Sequence, residues 1–347
     1  MSIESILLYC LKQLNGERTI FSIYHLLNGK KSSQTIQDAH LYSLKRFFRI
    51  FEHLPREAFE GMIRKISEKN LVSDCGDQRF LPSHAGEVFL NNNPTPSYLN
   101  GWKYHPQSIP FWERLSLLVQ VTSNLVYQEQ RYVPIHKNKQ IHIWLKSVLK
   151  ESNQTRAEMG KNLLSEMINC LEKDKLIDPS VLVFRLTGYQ RIGLTSMQIA
   201  KNLNLDVFNY QVEFLNILHF LIQTIEMNTN RFPLLSTLLS EFQHNNSLTQ
   251  SARKTWELLK QGISIDEIVN IRQLKLSTIE DHLVEFALNM NDFLIEDYVD
   301  LDMQTKILDI SREAKTRQLK IIRNCIKTAT YFQIRLVLAK HGESQWN

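Results

Sequence analysis

The chain has 347 residues, 43% of them hydrophobic, with only 11 Gly and 9 Pro. That is more than one core usually serves and too evenly mixed for a repetitive or disordered polymer, so two or three domains are expected. Lys and Arg number 41 against 36 Asp and Glu, a formal net charge of +5, which neither demands nor excludes nucleic acid and leaves the distribution of charge as the informative quantity.

Residues 2–14 read as a helix stopped at Asn15-Gly16, and residues 19–27 as a second stopped at Asn28-Gly29, because Gly takes the left-handed conformation past a helix end without strain. Lys30, Lys31, Ser32 and Ser33 open a third helix. Pro55 marks the first position of a fourth, whose inward stripe is Phe59, Met62, Ile63 and Ile66. Residues 71–73 and 79–81 flank the turn Asp74-Cys75-Gly76-Asp77 as a short hairpin, and Ser83 starts a closing helix. Helices followed by a hairpin give the order of a winged helix.

The words IYHLLNG and FEGMIRKISEKNLV, with His40 and Leu44 between them, resemble the winged-helix (RQC) domain of RecQ-family helicases. Ile23, Tyr24, Gly29, His40, Leu44, Ile63, Arg64 and Leu71 carry the match. Asn70 stands where that family has glycine, Leu41 where it has an acidic residue, and the hairpin tip lacks an aromatic, so strand prying is not expected. On the functional reading Lys30, Lys31, Arg56, Arg64 and Lys65 contact DNA phosphates; on the structural one they belong to a solvated face shared with Glu57, Glu60 and Glu68.

Residues 91–110 contain Pro94, Pro96, Pro106 and Pro110 and are expected to be an extended linker pinned by Trp102 and Tyr104. Helical spacing then runs through 111–128, 140–150, 155–173 and 179–187. Thr195 and Gln198 form a capping box before a buried face of Ile199, Ala200 and Leu203, and a long apolar helix covers 207–227. This is a second helix-turn-helix pattern, more economically explained as packing than as a site for Gln198, Lys201 and Asn202 to touch DNA.

The best-punctuated stretch is 251–290. A helix over 251–261 ends at Gly262; Ser264 and Glu267 cap the next, whose buried side is Ile265, Ile268 and Val269; Ser277 and Glu280 repeat the signature ahead of Ile279, Leu283 and Phe286. The words GISIDEIVNIRQL and STIEDHL resemble the helicase-associated helix-turn-helix domain of some RecQ helicases, with Arg272, Thr278, Ile279, His282 and Leu283 at the matching positions. From 251 to 300 there are five Lys and Arg against ten Asp and Glu. The would-be recognition helix carries Glu280, Asp281 and Glu285, a face expected to repel phosphate and to receive a basic protein partner. From 311 to 340 the charge reverses, with eight Lys and Arg against Glu313. One amphipathic basic helix is expected there, presenting Arg312, Lys320, Arg323 and Lys327 to DNA, to solvent or to its acidic neighbour.

Chemistry is missing from the pattern. No GxxxxGK[ST] loop, HExxH, GxSxG or CxxC occurs, so no enzyme, metal, cofactor or small-molecule substrate is expected. Cys10, Cys75, Cys170 and Cys325 lie far apart, as reduced and mostly buried thiols would. No apolar run of 18 residues and no leader peptide is present, so a cytoplasmic protein without a membrane partner is expected. The fold class is mainly α, with a winged helix over 1–92, a linker over 93–110, a helical domain over 111–246, and a helix-turn-helix domain with the basic terminal helix over 247–347. Two RecQ-like end modules without a motor resemble the YpbB-type proteins of Gram-positive bacteria. That resemblance implies an adaptor acting with a RecQ-type helicase and binding DNA, with a transcription regulator or a pure interaction scaffold as alternatives.

Overall fold

The computed structural model describes residues 2–239 and 248–341, over which the chain is mainly helical. Helices α1 (Ile3–Leu14), α2 (Ile20–Leu27), α3 (Ser33–Leu41) and α4 (Arg56–Glu68) lead into strands β1 (Val72–Asp74) and β2 (Phe80–Pro82), then α5 (His84–Asn92). The strands pair antiparallel with Ser73 opposite Leu81. The helix stops lie where the sequence put them. Asn15 and Gly16 have φ of 46° and 69°, and Gly29 has φ of 69° beside Arg49, whose Cβ would lie 2.4 Å from any Cβ added at that glycine. Asn70, with φ of 53°, takes the left-handed conformation that its short amide side chain tolerates.

Helices α6 (Gly101–Val126), α7 (Lys139–Glu151), α8 (Arg156–Leu171), α9 (Ser180–Val183), α10 (Ser196–Asn202), α11 (Val207–Met227) and α12 (Pro233–Ser236) follow. The extended linker expected over 93–110 is thus corrected from Gly101 onward: Pro106 and Pro110 lie inside α6. Asn100 caps this helix by accepting the Lys103 N–H at 3.1 Å, and burial of Tyr104, Ser108 and Phe111 outweighs the two N–H donors the prolines lack. The Thr195–Gln198 capping box and the 207–227 helix are present as read. Phe111, Leu115 and Leu118 of α6 pack in one core with Leu218, Leu221 and Ile225 of α11.

The last helices are α13 (Gln250–Leu259), α14 (Ile265–Arg272), α15 (Leu276–Asn289), α16 (Leu301–Glu313), α17 (Leu319–Cys325) and α18 (Tyr331–His341). The single basic helix expected over 311–340 is corrected to parts of three. Lys315, at φ of 47°, turns the chain after α16, and a second turn separates α17 from α18. Two compact units result, one built from residues 2–6 and 90–239, the other from 7–89 and 248–341. The two end modules, expected as separate domains, therefore share one unit, in which α15 packs against α3, α13, α14 and α18. The expected boundary at 246/247 lies outside the described residues. Among the described residues no helix is long and apolar enough to cross a membrane.

Candidate nucleic-acid interface

A helix-turn-helix reads bases with the exposed face of its second helix, so accessibility of α15 is decisive. Ile279, His282, Leu283, Val284, Phe286 and Ala287 are all buried, leaving Gln273, Lys275, Leu276 and Ser277 exposed at its leading tip. Gln273 takes φ of 50° and Lys275 is the N-cap, so α15 begins one residue before Ser277 and the expected Ser277–Glu280 capping box does not form. The Ser264–Glu267 box does. Below the turn, Arg272 Nη1 donates to Thr255 Oγ1 at 2.8 Å, and the same hydroxyl lies 2.8 Å from His282 Nδ1. Arg272 and His282, two of the residues carrying the family resemblance, are thereby bolted to α13. Burial, and then Arg272, holds His282 below the usual histidine range.

The acidic face expected on α15 is corrected by its partners. Glu285 is 6% exposed and accepts the N–H and the hydroxyl of Thr249 at the head of α13. Burial nevertheless pushes its carboxyl above the ordinary range. Asp281 accepts from Arg335 Nη2 of α18 and from Ser33 Oγ of α3, both at 2.6 Å. Glu280 is half-buried, its carboxyl also raised by burial and lowered by Arg335. Asp281 and Glu285 hold α3, α13 and α18 onto α15 instead of offering charge to a partner, while Glu280 stays partly open to solvent. A cleft of 430 Å³ remains beside them, lined by Lys31, Ser32, Ser33, Thr249, Ser251 and Thr278 among others.

The basic residues divide by surroundings. Lys30 and Lys31 are exposed in the turn between α2 and α3. On α4, Arg64 and Lys65 are exposed on the face opposite Phe59, Met62, Ile63 and Ile66, whereas Arg56 lies over the Phe21 ring at 4.5 Å and pairs with Glu60 at 2.7 Å. Arg312, on α16, pairs with Asp309 at 3.0 Å. Lys320 is exposed on α17 and Lys327 in the turn beyond it; Arg323 is half-buried, donating to the Ala329 carbonyl at 3.2 Å and lying 4.7 Å from the Tyr331 ring centre. The four residues expected on one helical face thus sit on three different segments. Charge counting gave no hint of Glu17, whose carboxylate accepts the Tyr42 hydroxyl at 2.6 Å and the Arg317 N–H at 3.1 Å, a second tie between the two ends of the chain.

A family model described as a helix-turn-helix domain matches residues 251–338, the stretch from α13 into α18. The chain is similar to protein YpbB of Bacillus subtilis (strain 168), at 34% identity over 343 residues that cover 97% of each chain. No solved structure matches it.

Proposed function

We propose that this chain, which belongs to the YpbB family, is a non-catalytic accessory protein that holds duplex DNA by its phosphates and works beside a RecQ-type helicase. The reading rests on one observation: the second helix of the helix-turn-helix is walled in by α3 and α18, while α4 keeps its outer face, with Arg64 and Lys65, in solvent. Basic side chains outside a groove-reading helix position a duplex without choosing its sequence. The resemblance of residues 19–90 and 251–290 to modules of RecQ helicases supports the helicase as partner. The absence of a phosphate-loop motif from the sequence fits a chain that supplies no motor of its own.

The test is a titration of labelled duplex and forked DNA at two salt concentrations. Changing Arg64 and Lys65 to Ala should weaken binding on all sequences alike and flatten the salt slope. Loss confined to one sequence would favour a transcription regulator, and salt-independent indifference to DNA a pure scaffold. Co-purification of the helicase with the full chain tests the partner separately.

A further inference from the structure

In the unit built around α6 and α11, two loops meet in a way the packing of the core does not require. Tyr127 is the C-terminal cap of α6 and Tyr189 lies in the loop between α9 and α10, yet their rings stack with centroids 4.4 Å apart and planes 15° from parallel. Tyr127 is 63% exposed, so this stack is open to solvent.

Both loops are fixed in place. Ser123, one turn before Tyr127 on α6, accepts the Tyr189 N–H on its Oγ at 3.0 Å. Gly188 passes so close that an added Cβ would lie 2.9 Å from that oxygen. Gly193 donates to Thr187 Oγ1 at 3.0 Å, Leu194 N–H donates to the Phe184 carbonyl at 2.7 Å, and a Cβ at Gly193 would lie 2.1 Å from the Arg185 carbonyl oxygen. On the other side the strap after α6 is gripped by the buried side chain of Gln120, which donates to the Val133 carbonyl and accepts the Ile135 N–H, each at 3.0 Å. Despite these anchors the strap and loop hold Val133 and Ile192 outward, 83% and 86% exposed. A loop pinned by these bonds that still holds Tyr127, Val133 and Ile192 in water is organised for a ligand, since ordering costs are met before binding.

The charge of the same two segments selects the ligand. Over residues 127–139 and 187–194 stand Arg131, Lys137, Lys139 and Arg191, all exposed, against the single carboxylate Glu129, which is itself engaged by the Arg131 N–H at 2.6 Å. An exposed ring of Tyr127 stacked on the half-buried Tyr189, on segments whose charge is mostly cationic, matches the alternation of bases and phosphates in an unpaired strand. We infer that Tyr127 and Tyr189 form a stacking platform for single-stranded nucleic acid, with Arg131 and Arg191 on its phosphates. The site lies in the other unit from α4 and adds a single-strand contact to the duplex contact proposed above, without resting on it.

The test uses the full chain and fluorescence anisotropy with an oligothymidylate of roughly 16 nucleotides, its oligouridylate counterpart, and an abasic oligomer with the same number of phosphates. Stacking should make at least one base-bearing strand bind about ten-fold more tightly than the abasic one. Tyr127→Ala, a surface change whose folding is checked by circular dichroism, should erase that margin and Tyr127→Phe should keep it. Arg131→Ala with Arg191→Ala should weaken all three oligomers together and flatten their salt dependence. Equal affinity for base-bearing and abasic strands, an undiminished margin in Tyr127→Ala, or no binding of any oligomer would each overturn the inference. Arg64→Ala with Lys65→Ala should leave the margin untouched, so failure of the duplex reading and failure of this one are distinguishable.

Discussion

Arg335 of α18 donates through Nη2 to Asp281 of α15 at 2.6 Å, with the two side chains 19% and 33% exposed, while its Nε donates to Gln37 of α3 at 3.2 Å. One guanidinium thus joins three helices that are far apart in the chain. Arg335→Ala leaves the Asp281 charge half-buried with only the Ser33 hydroxyl, and should cost about 2 kcal/mol of stability in urea unfolding, between the values for exposed and fully buried pairs. A double-mutant cycle with Asp281→Ala should give a coupling energy above ~0.5 kcal/mol. A cycle that closes to zero would make the pair incidental.

Charge reversal on α15 separates neighbouring acids. Glu285→Lys buries an ammonium where a carboxylate now receives the Thr249 N–H, so a loss of roughly 3 kcal/mol or more is expected. Glu280→Lys, half-exposed but beside Arg335, should cost about 1 kcal/mol or less. Melting curves of the two variants decide the ranking, and an innocuous Glu285→Lys would contradict the burial.

Acid should weaken the α6–α11 core through His219. Its Nδ1 accepts the Asn100 N–H at 3.0 Å, its Nε2 lies 3.0 Å from Ser108 Oγ, and burial, with a smaller contribution from His105, pushes its pKa down to about 3. The unfolded histidine binds a proton from its ordinary pKa of about 6.5 downward and the folded one does not, so stability is full above that value and declines as pH falls toward 3. The slope from this one group is about 1.4 kcal/mol per pH unit. Burial raises the carboxyl of Glu166 in the same unit, and its uptake of protons works in the opposite sense near its own lower range. Hydrogen exchange of α6 and α11 between pH 7 and about 5.5 reads the histidine window. His219→Gln should be less stable at neutral pH and show a shallower slope.

The thiols should fall into two pairs. Cys10 and Cys170 are buried, with burial pushing Cys170 up to about 12 and Cys10 further, whereas Cys75 at the hairpin tip and Cys325 at the end of α17 are exposed. A disulfide exchange reagent should label Cys75 and Cys325 in the native protein and reach the other two only on unfolding. Rapid labelling of all four would mean the cores open easily.

Local signals in the sequence were legible wherever a helix end depends on its own residues. The Thr195–Gln198 and Ser264–Glu267 boxes, the stops at Gly16, Gly29 and Gly262, and the left-handed Asn70 need only neighbours within a few positions, as did the 207–227 helix with its continuous apolar stripe. Ser277 failed as a cap because α15 starts at Leu276 with Lys275 as its N-cap, just past the left-handed Gln273 that ends α14.

What a face touches was decided by tertiary structure alone. Glu280, Asp281 and Glu285 look solvated on a helical wheel, and Arg335 looks like one more cation in a basic run. Only the packing of α3, α13 and α18 over α15 turns Asp281, Glu285 and Arg335 into internal ties, since desolvation makes each charge dependent on the partner that arrives with it. Tyr127 and Tyr189 are 62 positions apart in the numbering, and no periodicity links them. Their stack exists because Ser123 and Gly188 bring the end of α6 and the loop after α9 into contact, a close approach set by side-chain volume and backbone bonding across the fold. The sequence by itself determined that this protein is mainly helical, where most of its helices turn, and that it carries a helix-turn-helix near its C-terminal end. Which helix remains free to meet another molecule followed from burial, which depends on the whole chain at once.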